Sequence, residues 1–75
     1  MSRTLTVYGD GDVVLHTEEI EVGGESRSAR RVTRHCGKLV LSTPGARVVL
    51  QTKRGLEDRV IVKKGDEYYT RAVRS

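Results

Sequence analysis

Residues 47–73 read RVVLQTKRGLEDRVIVKKGDEYYTRAV, and this stretch decides the fold class. Arg47–Thr52, Arg59–Lys63 and Glu67–Val73 are short runs rich in β-branched and aromatic residues, separated by Lys53-Arg54-Gly55 and Lys64-Gly65-Asp66. Val, Thr and Tyr suit a pleated, half-buried surface, and a glycine beside charged residues supplies turn chemistry. The stretch therefore predicts three strands joined by tight turns.

Upstream, Thr43-Pro44-Gly45 is another turn, and Lys38–Ser42 before it is expected to be a further strand. At the other end of the chain, Thr4–Tyr8 alternates with Leu5 and Val7 on one face, then Gly9-Asp10-Gly11-Asp12 turns the chain into Val13–Thr17. Asp-Gly is a hairpin signal because it tolerates the positive φ angles that tight turns need. Glu18–Val22 reads as a third strand, closed by Gly23 and Gly24. Ser28–Gly37 admits two readings. Ala29, Val32 and Cys36 have helical spacing, with Ser28 as an N-cap and Gly37 as a stop. A strand paired with residues 18–22 would instead set Ile20 against Val32, Glu21 against Arg31 and Glu18 against Arg34, which matches opposite charges. The strand is the preferred reading.

The fold expected is all-β, a small antiparallel barrel or sandwich of about six to eight short strands, with a single short helix near 29–36 as the variant. One compact domain spans residues 1–75, since a chain this short hides only roughly 60% of its unfolded surface and cannot support two cores. The expected core contains Val7, Val13, Leu15, Ile20, Leu39, Leu41, Val48, Leu50, Val60, Val62 and Ala72.

The net charge of +4 conceals a split. Residues 1–25 hold six acidic groups and one base, whereas residues 26–75 hold thirteen bases and four acids. Such a split neutralises itself within the fold, joins opposite surfaces of neighbouring copies head to tail, or leaves a solvated basic face that attracts an anionic polymer. The densest basic run is Arg27, Arg30, Arg31, Arg34 and Lys38. Arginine suits phosphate through its planar fork, and a helix would gather most of this run on one side, whereas a strand would divide it between two faces. The three aromatics, Tyr8, Tyr68 and Tyr69, are not interleaved with these bases, as stacking platforms for single strands would be. A second basic group, Lys53, Arg54, Arg59, Lys63 and Lys64, reads as protection of strand edges and turns.

Catalysis is not expected. Neighbouring His35 and Cys36 would diverge on a strand, and Cys36 reads as a buried structural residue. No nucleophile elbow and no phosphate-binding loop is present. No Cys-x-x-Cys or His-x-x-x-His spacing occurs, so no metal and no other cofactor is expected. With no apolar run of about 18 residues, no signal-peptide pattern and a lone cysteine, the expected setting is a reducing intracellular compartment or a virion, away from membranes. No small-molecule substrate is expected. The leading expectation is a structural protein that docks on a larger complex or tiles with itself, like the small accessory proteins of a phage capsid or tail. Its contact residues would be Tyr69, Arg71, Glu19 and Glu21, Tyr and Arg being enriched where interfaces are anchored. The alternative is a basic, sequence-tolerant nucleic-acid-binding module using Arg27, Arg30, Arg31, Arg34 and Lys38.

Overall fold

The computed structural model describes residues 2–21 and 29–73. Among the described residues six strands form one antiparallel sheet around a single α-helix, with one 3₁₀ turn at Asp10–Asp12. In chain order these are β1 (Ser2–Tyr8), β2 (Val14–Glu21), β3 (Arg30–Val32), α1 (Arg34–Ser42), β4 (Arg47–Thr52), β5 (Gly55–Lys64) and β6 (Glu67–Ala72). The spatial order is β2-β1-β4-β5-β6-β3. The sheet curls into a half-barrel, so the fold is all-β with one short helix. No helix of the described residues is long and apolar enough to cross a membrane.

The first hairpin forms where the sequence places it. Gly11 and Asp12 both have positive φ, 72° and 60°, which a glycine and a short polar side chain tolerate at little cost. The strand that follows is continuous from Val14 to Glu21, so the expected Val13–Thr17 and Glu18–Val22 strands are one element. The register shifts between Val7, which faces His16, and Tyr8, which faces Val14. His16 and Glu18 thus stand opposite Val7 and Leu5, the buried residues of β1, and Ile20 is buried two positions on, while Val13 and Leu15 are exposed.

The segment around residue 33 departs most from expectation. Only Arg30–Val32 is strand, and it pairs with β6 rather than with residues 18–22. The chain then turns helical through Ser42, replacing the expected strand at Lys38–Ser42. Thr33 starts the helix from an extended backbone conformation, its hydroxyl accepting from the Cys36 amide at 3.2 Å. Cys36, Leu39 and Val40 then fall on one face and pack into the core, while Leu41 points outward. Pro44 ends the helix by holding Thr43 in an extended conformation.

The core comprises Leu5, Val7, Ile20, Val32, Cys36, Val48, Leu50, Ile61 and Tyr68, flanked by Leu39 and Val40. Of the residues expected there, Val7, Ile20, Val48 and Leu50 are buried; Val13, Leu15 and Leu41 are exposed, and Val60, Val62 and Ala72 are half-buried. On β5 the parity is reversed from expectation. Val48 on β4 faces Arg59, so Arg59 and Ile61 turn inward and Val60 and Val62 outward. Arg59 is therefore no edge guard but a buried cation, 3% exposed. Its Nη2 donates to the Thr70 carbonyl at 3.1 Å, and Nη1 lies 3.5 Å from Glu57 Oε2.

Two substitutions test this packing. Gly37 lies against Tyr68, where a Cβ would come 2.5 Å from the Tyr68 Cβ and closer still to its ring. In an open helix Gly→Ala gains about 1 kcal/mol. Here Gly37→Ala is expected to lose on the order of 1–3 kcal/mol, because the attached end of Tyr68 cannot swing aside. Arg59→Ala should cost on the order of 3 kcal/mol by leaving Glu57 and Thr70 without their partner, and Arg59→Met less, because it refills the volume. Urea denaturation of each variant reads both effects.

Candidate functional site

β2 and β3 are the two edges of the sheet, and the curl brings them to face each other across a seam. A carboxylate spans it. The Thr33 amide donates to Glu18 Oε2 at 3.1 Å, and the Thr33 hydroxyl donates to Oε1 at 2.6 Å. His16, two residues from Glu18 and so on the same face of β2, places Nε2 2.7 Å from Oε1. The Thr33 hydroxyl thus serves twice, donating to Glu18 and capping α1. Glu18 meets Thr33, one position short of its expected partner Arg34.

Burial by itself would raise the Glu18 pKa. The hydrogen bonds from Thr33 and His16 outweigh that, and the net shift is downward. Beside it, the Cys36 thiol is fully buried, and desolvation together with the Glu18 charge pushes its pKa up to about 12. A thiol held this firmly in its protonated form is the opposite of an activated nucleophile. His35, next to Cys36 on the helix, is exposed, and its ring lies edge-on to His16 with centroids 5.0 Å apart.

The ligand atoms of His16, Glu18 and Cys36 all lie within 4.8 Å of one another. The sequence conceals this grouping because 18 residues separate Glu18 from Cys36 and no local spacing motif joins them. The available signal is His-x-Glu at alternating positions of a strand, two polar residues where the pattern otherwise calls for apolar ones.

The expected interface residues lie on the outer face, near the two ends of the sheet. Tyr69 is half-buried on β6, opposite Arg31 of β3, and its hydroxyl donates to Glu67 Oε2 at 2.7 Å. Glu67 also forms an ion pair with Arg31. Arg71 is exposed two residues further along β6. Glu19 and Glu21 are exposed on β2, with Glu19 accepting from the Thr4 hydroxyl at 2.8 Å. At the start of that strand Val13, Val14 and Leu15 are 58%, 53% and 41% exposed in succession.

The basic run does not form one patch among the described residues. Arg30 and Arg31 alternate on β3, Arg30 on the side of buried Thr70 and Arg31 on the side of Tyr69. Arg34 and Lys38 stand one turn apart on the exposed side of α1. Arg27 lies outside the described residues.

Because Thr33 holds both the seam and the helix cap, Thr33→Ala is expected to destabilise the fold by about 1–3 kcal/mol, and Thr33→Ser by far less. Chemical denaturation of the two variants side by side measures the difference. No protein-family model matches the chain, and neither a curated protein nor a solved structure does.

Proposed function

We propose that this protein is a non-enzymatic assembly module that associates head to tail with copies of itself, of the kind that serves as a small accessory subunit of a phage capsid or tail. The exposed start of β2 in one copy, clear of the Glu18–Thr33 seam, receives the β6–β3 end of the next. The observation that carries this reading is the character of β2. It is an edge strand that opens on two exposed apolar residues, Val14 and Leu15, directly after exposed Val13, with no strand beyond it among the described residues. Edge strands of soluble proteins are commonly blunted by charge, proline or cover, and an apolar edge left open is a template for another strand.

Charge selects the occupant. The second half of β2 carries Glu18, Glu19 and Glu21, so pairing like with like would crowd carboxylates, whereas the opposite end of the sheet presents Arg31 and Arg71 beside Tyr69. A contact between unlike ends is heterologous and propagates into a ring or filament. The division of the basic run between β3 and α1 favours this reading over nucleic-acid binding, which would want the arginines together. The buried, protonated Cys36 supports a non-catalytic role.

Sedimentation velocity over a concentration series tests the proposal. Self-association is expected, and it should weaken as salt rises past about 0.1 M, where charges more than about 10 Å apart are screened. Val14→Lys and the pair Tyr69→Ala with Arg71→Ala should each weaken it by roughly tenfold or more, equivalent to about 1.4 kcal/mol. A monomer at every concentration in low salt, or association that neither variant alters, would overturn it.

A further inference from the structure

We propose that His16, Glu18 and Cys36 form a binding site for a zinc-class divalent cation that clips β2 to α1 across the open seam. The inference is independent of the assembly reading. Its first support is convergence. An imidazole, a carboxylate and a thiol, from two elements on opposite sides of a gap, bring their ligand atoms within 4.8 Å of one another. Tetrahedral zinc needs ligands about 2.0–2.3 Å from the ion, so the widest pair closes by roughly 1 Å and the His16–Glu18 pair, now 2.7 Å apart, opens by roughly half an ångström.

The second support is the arrangement around the ligands. Thr33 grips Glu18 with both its amide and its hydroxyl, which fixes the carboxylate from behind as metal-bound carboxylates are commonly fixed. His35 packs edge-on against the His16 ring and limits its swing. The site is also reachable: the His16 and Glu18 side chains are 20% and 11% exposed, while the sulfur lies behind them. The donor set selects the ion. Sulfur and imidazole favour zinc, cobalt or copper over magnesium and calcium, which call for oxygen alone.

On binding, His16 Nε2 gives up its hydrogen bond to Glu18 for a bond to the ion. The Cys36 thiol loses its proton to solvent as the metal–sulfur bond forms. A water molecule takes the fourth position. The role is mechanical. With a core this small, a metal clip is a recurrent means by which short domains gain stability.

Tag-free protein, reduced and stripped with a chelator, should be titrated with Co²⁺ and then with Zn²⁺. One equivalent of Co²⁺ is expected to give the strong visible bands of tetrahedral cobalt and a sulfur-to-cobalt charge-transfer band in the near ultraviolet. Zn²⁺ should bleach both by displacement. Cys36→Ser should lose the charge-transfer band. His16→Gln, at a partly exposed position that leaves the core intact, should lose the tetrahedral intensity while keeping the wild-type circular dichroism spectrum. Absorption no stronger than that of Co²⁺ in buffer, or bands that persist unchanged in both variants, would overturn the site.

Discussion

The carboxylate of Glu18 joins β2 to Thr33, the residue between β3 and α1, where among the described residues no backbone ladder pairs β2 with β3. β2 and β3 face each other across the curl of the sheet, yet among the described residues β2 pairs with β1 and β3 pairs with β6, on either side of the gap. Two hydrogen bonds from Thr33 stand in for the missing ladder, and they reach from an interior position of β2 to the start of α1. That one contact therefore sets where the helix begins, and with it which residues the helix lays on the core. Cys36 and Gly37 are buried in the first turn after the cap, where Gly37 lets the helix backbone approach Tyr68. An apolar pair at positions 18 and 33 would bury its surface without fixing either end, whereas a carboxylate with two donors has a direction as well as an energy.

The strand content is legible because turn chemistry punctuates it. β1, β4 and β6 fall close to where glycine, proline and alternating apolar residues place them, and the hairpin at Gly9–Asp12 follows from its own dipeptides. Parity is not legible. Val60 and Val62 look like an inward face, but the partner strand dictates that Arg59 and Ile61 occupy it. A cation ranks poorly for burial on any local scale, and partners such as Thr70 and Glu57, across and along the sheet, make the position tolerable. The helix is obscured for a related reason. Leu39, Val40 and Leu41 read equally as a strand, and the deciding residue, Thr33, acts as a cap only if the residues after it turn helical.

The candidate site is legible in part. Cys36 reads as buried from the sequence, and it is. Its companions His16 and Glu18 carry no motif, because they approach it only once the sheet has curled. The surface residues follow the opposite logic. Glu19, Glu21, Tyr69 and Arg71 are expected outside from strand alternation alone, and alternation does put them on the outer face.

The sheet order also has a kinetic side. β4, β5 and β6 succeed one another through short turns, and β1 and β2 form their own hairpin, so each group can assemble from neighbours in the chain. Joining them requires Leu5 to find Leu50 and Arg31 to find Tyr69, contacts that enclose about half the chain in each loop. Those closures must be made before their contacts repay them, so this topology carries an entropic cost in folding that a chain of purely local contacts would not meet. The β1–β4 ladder, four residue pairs long, is the longest run of backbone pairing that must bridge such a loop.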